Sequence, residues 1–188
     1  IRALLDISKL DGGGISPKPE PVAVDDIFDE IMREFLVQAE ANNLTMRRVH
    51  TRAWIHTDRA LLTSVVRNLM SNAIRYTRSG GVLLGVKRCG SDIELCVFDT
   101  GAGIAEEDVE RLFGEFKRGR TSDREGLGLG LAIVKRTAAL LGVEIMTRSI
   151  PDRGSKFSVR LEVLRWGPQP EAEQRRRRAP TLADARIL

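Results

Sequence analysis

The sequence has few cysteines, which stabilise many secreted proteins as disulfides, and lacks the long apolar runs of membrane-spanning proteins. It contains two cysteines in 188 residues, and no apolar run approaches the roughly 18 residues that a membrane helix needs. Cys89 and Cys96 fall on the two arms of a predicted hairpin, opposite Asp92 and Gly85, so we do not expect a disulfide between them. We therefore expect a reducing, cytoplasmic setting. Because the chain starts without Met, we also expect it to be a fragment, with any membrane anchor of its parent lying outside it.

Net positive charge is small outside the C-terminal tail. The formal net charge is +4, but residues 165–188 contain six arginines against three acidic residues, which leaves +1 for residues 1–164. A globular part with so little net charge gives no reason to expect nucleic acid as a partner. We interpret the run Arg175–Arg178 as part of a solvated linker.

The distribution of apolar residues predicts one compact α+β domain. Residues 82–88 and 92–98 flank a Gly-Ser turn and form a predicted hairpin, and strands near 143–149 and 155–164 finish the sheet. We predict a two-layer sandwich in which a mixed five-stranded sheet packs against three helices, the first of them capped by Asp25. The predicted segments are the end of a helix (1–11), a Gly- and Pro-rich linker (12–21), the domain (22–164) and a basic tail (165–188).

One predicted helix, capped by Asp58, has a polar face opposite an apolar face. Asn68, Asn72, Arg75 and Tyr76 fall within roughly 60° of one another when the helix is viewed along its axis. Two amides and a cation suit a metal-bound polyphosphate, so this face predicts a binding site. The apolar face is formed by Leu62, Val65, Val66, Leu69, Ala73 and Ile74.

A second candidate site element follows the strand that ends at Phe98. Asp99 opens the loop Asp-Thr-Gly-Ala-Gly, where a carboxylate can accept a hydrogen bond from an exocyclic amine such as adenine N6. Gly101 and Gly103 would let a flat ring approach the backbone. A loop stabilised only by an Asx turn is the alternative.

Glycines at alternate positions precede the last helix. Gly126, Gly128 and Gly130 remove side chains where a helix N-terminus exposes unpaired N–H groups, so phosphate can lie against the backbone there. Close helix packing is the alternative explanation for such a string.

A polar stretch of some twenty residues lies between Gly103 and Gly126. We interpret it as a mobile lid whose basic residues reach phosphate when it closes. A solvated loop anchored by its phenylalanines is the alternative. The residues concerned are Phe113, Phe116, Lys117, Arg118, Arg120 and Arg124.

Taken in order, these segments resemble the ATP-binding catalytic domain of bacterial sensor histidine kinases. That superfamily, known by its Bergerat fold, also includes gyrase, heat-shock chaperones and mismatch-repair ATPases. Residues 68–77 resemble its N box, 99–104 its G1 box, 113–118 its F box and 126–131 its G2 box. Residues 154–157 are similar to its last glycine motif, with serine where threonine is more usual.

The resemblance implies that ATP and Mg²⁺ bind between the N-box helix and the lid. Asn72 would be the principal Mg²⁺ ligand, and Asn68 would contact phosphate or a metal-bound water. Arg75 would meet phosphate, Tyr76 would pack near the nucleotide and Asp99 would read adenine. Further nucleotide contacts are implied for Gly101, Gly103, Ile104, Phe116, Lys117, Arg118, Gly126, Leu127, Gly128, Leu129, Gly130, Leu131 and Ser155, and catalytic roles for Asn68, Arg75 and Arg118.

Asn68 separates two subfamilies of this superfamily. In the hydrolytic relatives the residue four positions before the metal-binding Asn is a Glu that activates water, whereas the amide of Asn68 cannot take that proton. The resemblance therefore implies transfer to an external histidine.

His50 and His56 do not lie in the sequence context of the family's acceptor, while residues 1–11 resemble the end of its dimerisation and phosphoacceptor hairpin.

These features imply the catalytic part of a histidine autokinase of a two-component system. Its partners would be ATP and ADP, its own acceptor hairpin, and a downstream response regulator or receiver domain. The parent would be a homodimer, whereas this chain, which lacks nearly all of the hairpin, would be monomeric or weakly associated. Residues 185–188 resemble the opening strand of a receiver domain, which would make the parent a hybrid kinase, with a frayed terminus as the alternative. Two alternative functions stay open. One is a pseudokinase that serves as an ATP-responsive interaction module, and the other is a serine kinase of the same superfamily.

Overall fold

The computed structural model describes residues 16–112 and 130–167. None of the helices in these ranges combines the length and hydropathy of a membrane-spanning segment. The strands are β1 (Glu20–Ala23), β2 (Thr45–Arg48), β3 (Ala53–Thr57), β4 (Gly81–Cys89), β5 (Asp92–Asp99), β6 (Ile145–Ile150) and β7 (Gly154–Trp166), and the helices are α1 (Val24–Ala41), α2 (Arg59–Tyr76), α3 (Glu106–Leu112) and α4 (Gly130–Leu141).

Seven strands of the described ranges form one mixed sheet. Its order is β1-β3-β7-β5-β4-β2, and β6 pairs with the first half of β7 while β3 pairs with the second half. The β2–β4 pair is parallel and the other pairs are antiparallel. The predicted α+β sandwich is confirmed, with seven strands instead of five. β1 was not predicted as a strand, because four residues give too few alternating positions to distinguish an edge strand from an extended loop.

The apolar face of α2 forms the centre of the core. Its six predicted members are at most 4% exposed, and they are joined by Met70. The helix packs against α1, α4 and β5. Because this face is buried, the opposite face of α2, which carries the polar residues, is directed away from the core.

Asp58 caps α2 as predicted. One carboxylate oxygen accepts the N–H of Leu61 at 3.0 Å, and the other accepts the N–H of Lys18 at 2.8 Å. Partial burial raises the pKa of Asp58, but these N–H donors outweigh that effect and hold the pKa below its usual range. The carboxylate therefore joins the segment before β1 to the start of α2.

The prediction that Asp25 caps the first helix is wrong. The helix begins at Val24 after Ala23, and no side chain caps it. The Asp25 carboxylate instead accepts the N–H of Thr51 at 3.1 Å and lies 3.2 Å from the ring of His50. A sequence cannot distinguish a capping acid from a first-turn acid whose partner is distant in the chain.

The hairpin of β4 and β5 has the predicted register. Cys89 lies opposite Asp92 and Cys96 lies opposite Gly85, and both cysteines are free. On the sheet face that points away from the helices, Glu94 forms an ion pair with Lys156, and both side chains are mostly buried. The hydrogen bond from Lys156 is the main cause that holds the pKa of Glu94 below its usual range.

We expect Glu94→Gln to lower the free energy of unfolding at pH 7 by about 2 kcal/mol, because it leaves the ammonium of Lys156 without its charged partner. Since the pKa of Glu94 is lower in the folded state, its stabilisation is complete above the unfolded pKa of about 4.3 and is lost as the pH falls through the folded value. Urea unfolding at several pH values measures this. Glu162→Gln, at an exposed acid of β7, is the control; equal losses in both variants would contradict the prediction.

Candidate functional site

The polar face of α2 meets the beginning of α4. A Cβ placed on Gly130 would lie 3.3 Å from both amide atoms of Asn72 and 3.6 Å from Oδ1 of Asn68. The backbone at the first residue of α4 therefore lies directly against the two amides. A side chain at residue 130 would make the Asn72 amide move by a few tenths of an ångström.

The amide of Asn68 has a fixed orientation. Its Nδ2 donates to the carbonyl oxygen of Ser64 at 2.9 Å, which leaves Oδ1 on the side that faces Gly130. Amide oxygens bind hard cations, and a helix N-terminus attracts anions. The juxtaposition therefore suits a metal-bound polyphosphate, and the donor set fits Mg²⁺.

The last turn of α2 connects this region to the Asp99 loop. Arg75 is half-buried and Tyr76 is 42% exposed. The Tyr76 carbonyl oxygen accepts the N–H of Ala102 at 3.4 Å. The chain leaves the helix at Thr77, whose hydroxyl donates to the Ala73 carbonyl at 2.7 Å.

Among the described residues, one carboxylate oxygen of Asp99 accepts hydrogen bonds and the other accepts none. Oδ1 accepts the N–H of Gly101 at 2.8 Å and the N–H of Ser155 at 3.3 Å. Within residues 16–112 and 130–167, nothing hydrogen-bonds to Oδ2. Burial raises the pKa of Asp99 above its usual range, although the two N–H donors oppose that shift. As far as the described residues show, Asp99 is thus a half-buried acceptor whose Oδ2 has no hydrogen-bond donor.

Gly101 and Gly103 have a packing role within the protein itself. A Cβ on Gly101 would lie 2.5 Å from the Tyr76 carbonyl oxygen. At Gly103, where φ is +67°, a Cβ would lie 2.0 Å from the carbonyl oxygen of Ile150. Both glycines are therefore required by neighbouring backbone, and the approach of a ring to them stays a prediction.

Ser155 and Ile104 meet at a residue that the sequence analysis missed. The N–H of Ile104 donates to Ser149 Oγ at 2.8 Å, and the hydroxyls of Ser149 and Ser155 lie 2.9 Å apart. A serine within a strand gives no functional signal. Only the pairing of β6 with β7 brings Ser149 beside this site.

Leu131, in the first turn of α4, packs partly buried against the core. The remaining predicted site residues lie outside the described ranges, so their roles stay predictions. They are Phe116, Lys117, Arg118, Gly126, Leu127, Gly128 and Leu129.

Comparison with known proteins identifies the family. Residues 57–165 match the family described as histidine kinase-, DNA gyrase B- and HSP90-like ATPases. This match covers more than half of the chain and includes α2, the Asp99 loop and α4. The chain belongs to this ATPase family.

Within the family the chain is similar to a sensor kinase. It is 35% identical over 191 aligned positions to the sensor-like histidine kinase SenX3 of Mycobacterium tuberculosis, with 99% of this chain and 47% of SenX3 covered. The chain therefore spans about half the length of this relative.

Two solved structures share the fold. Full-length ShkA in complex with AMPPNP has a TM-score of 0.79 at 24% identity, covering 89% of this chain and 36% of ShkA. The mycobacterial sensor histidine kinase MprB has a TM-score of 0.67 at 22% identity, covering 78% and 98% of the two chains. At these identities the likeness shows the shared architecture alone.

We expect Gly130→Ala to weaken ATP binding about tenfold, or about 1.4 kcal/mol, because the new methyl group would push the Asn72 amide out of its position. Alanine costs less conformational entropy than glycine in a helix, so the free energy of unfolding should not fall. Calorimetric titration and urea unfolding measure the two quantities. Gly85→Ala, whose methyl would meet Val49 at an ordinary 3.4 Å, is the control. Unchanged affinity in Gly130→Ala would show that the close approach has no role in binding.

Proposed function

We propose that this chain is the catalytic domain of a histidine autokinase, which binds Mg²⁺–ATP and transfers the γ-phosphoryl group to a histidine outside the chain. The observation that carries the proposal is the close approach of the start of α4, at Gly130, to the amides of Asn68 and Asn72. Membership of the ATPase family and similarity to a sensor-like histidine kinase support it.

The two ends of the site suit the two ends of a nucleotide. Asp99 offers one carboxylate oxygen, which can accept the exocyclic amine of adenine. The start of α4 offers backbone N–H groups that can face phosphate. The Tyr76–Ala102 hydrogen bond joins the Asp99 loop to the end of α2, so one rigid helix positions both ends.

Asn72 is proposed as the principal Mg²⁺ ligand, as the family resemblance implies, with Asn68 beside it. When bound, the metal supplies positive charge that offsets the charge of the phosphates. The protein's own contribution is to fix the amides against α4 and to position the phosphates. Arg75 and the lid residues Lys117 and Arg118 are proposed to add cationic contacts.

The chemistry at residue 68 favours transfer over hydrolysis. The amide of Asn68 has no proton-accepting base, and its nitrogen is engaged by the Ser64 carbonyl. Catalysis is then mainly a matter of in-line positioning and charge neutralisation. Such a site suits an acceptor side chain that is itself a nucleophile. We propose that this acceptor is a histidine on the upstream hairpin. A receiver domain or response regulator would take the phosphoryl group next.

The direct test mixes this chain with the acceptor hairpin of its own parent, Mg²⁺ and γ-labelled ATP. We expect acid-labile phosphate on the hairpin. Acid-stable label on serine would indicate the serine kinase instead, and nucleotide binding without any label would indicate the pseudokinase. The matched control is a hairpin with its acceptor histidine replaced by alanine, which should stay unlabelled.

We expect Asp99→Asn to weaken ATP binding about 30-fold, or about 2 kcal/mol, because the amide presents a donor where the adenine amine needs an acceptor. The asparagine can still accept the N–H groups of Gly101 and Ser155, so the loop should stay folded. Inosine triphosphate carries a carbonyl instead of the amine. The substitution should therefore weaken its binding much less than that of ATP, or strengthen it. Calorimetry with both nucleotides measures the difference, and parallel losses would remove the adenine assignment.

A further inference from the structure

Three polar residues lie side by side in neighbouring strands at the end of the sheet that forms the site. Asp99 of β5 is paired with Ser155 of β7, and Ser155 is paired with Ser149 of β6. Directly opposite residues on one face of a sheet have Cβ atoms about 5 Å apart. Asp99 and Ser155 share their face with Val97 and Phe157, which are buried in the core. The three residues thus form a polar row where the core ends.

Ser149 Oγ is the centre of a saturated hydrogen-bond group. It lies 2.8 Å from the N of Ile104, 3.1 Å from the carbonyl oxygen of Gly154 and 2.9 Å from Ser155 Oγ. A hydroxyl has one proton to donate and two lone pairs that accept. One assignment satisfies all three contacts: Ser149 accepts from Ile104 and from the Ser155 hydroxyl, and it donates to Gly154.

This group connects to both N–H donors that hold Asp99. Ser155, whose hydroxyl contacts Ser149, donates its own N–H to Asp99 Oδ1. Ile104, which Ser149 holds, closes the loop in which Gly101 donates the second N–H to the same oxygen. With Oδ1 fixed from two sides, the direction of Oδ2 is fixed as well, and Oδ2 is the oxygen available to a base.

We propose that Ser149 is a positioning residue for base recognition, which orients the Asp99 carboxylate through Ser155 and Ile104. The identity of the base as adenine rests on the proposed function. Ser149 itself does not touch the nucleotide in this proposal. Removal of the Ser149 hydroxyl should therefore reduce the contribution of the exocyclic amine to nucleotide affinity. The contribution of the phosphates and the metal should stay unchanged.

The same strand offers a matched control. Thr147 lies two residues before Ser149 on the same face of β6, opposite Phe157. Its hydroxyl oxygen is buried and has no hydrogen-bond partner among the described residues. Thr147→Val removes a buried hydroxyl beside Ser149 without breaking this group of hydrogen bonds.

The experiment measures Mg²⁺-dependent binding of ATP and of purine riboside triphosphate, which lacks the 6-amino group, to the 188-residue chain and its variants. We expect Ser149→Ala to weaken ATP binding about tenfold, the size of one charge-linked hydrogen bond, and to change purine riboside triphosphate binding less than twofold. Ser149→Thr, which keeps the hydroxyl, should recover most of the ATP affinity. Thr147→Val should change neither nucleotide more than twofold.

A double variant distinguishes positioning from general damage. If Ser149 acts through Asp99, adding Ser149→Ala to Asp99→Asn should cause little further loss of ATP affinity, because residues that act together are non-additive. Equal losses of both nucleotides in Ser149→Ala, or full additivity, would overturn the inference while leaving the proposed function in place. Wild-type protein that binds both nucleotides equally would overturn the adenine assignment instead, and with it the basis of the inference.

Discussion

Burial of the apolar face of α2 is the constraint on which the rest of the structure depends. Its fully buried leucine, valine, isoleucine and methionine side chains are each worth about 2 kcal/mol relative to exposure, whereas a cap such as Asp58 is worth about 1 kcal/mol. The core therefore fixes the rotation of α2 about its axis. Asn68 and Asn72 are consequently directed at the start of α4, and that direction is determined by packing more than by any polar contact of their own.

The polar parts of the site are held by backbone N–H groups. Asp99 Oδ1 accepts two of them, and the Asn68 amide is turned by a backbone carbonyl. Each side chain thus has one polar atom engaged by the protein and another that faces the site. Such a division keeps the site preorganised, because the ligand does not have to orient these groups when it binds.

The family is shared by proteins with different chemistry, so the fold alone does not decide the reaction. What separates transfer from hydrolysis in our proposal is a single side chain, since Asn68 provides an oxygen but no base. The same argument explains why catalysis would depend on the arrival of an acceptor. A domain that positions phosphate without activating water would transfer no phosphoryl group until a nucleophile is bound.

Much of the fold and of the site could be predicted because it depends on local sequence patterns. The period of the α2 residues indicated a helix with an apolar and a polar face, the Gly-Ser turn indicated the hairpin and its register, and the order of the boxes indicated the family. Asp25 shows the limit of this approach. Its carboxylate was predicted to act locally, but it binds Thr51, which is 26 residues away.

The sequence by itself determined which helix faces are buried, where the chain turns, and which residue types are available for phosphate, metal and base. These follow from periodicity and from the chemistry of single side chains. Only the tertiary structure decided that Gly101 and Gly103 are required by neighbouring carbonyls, that the start of α4 lies close to the Asn72 amide, and that Ser149 contacts Ser155, the residue paired with Asp99. Such contacts depend on sheet order and register, and those are set by the packing of the whole core, not by any short stretch of the chain.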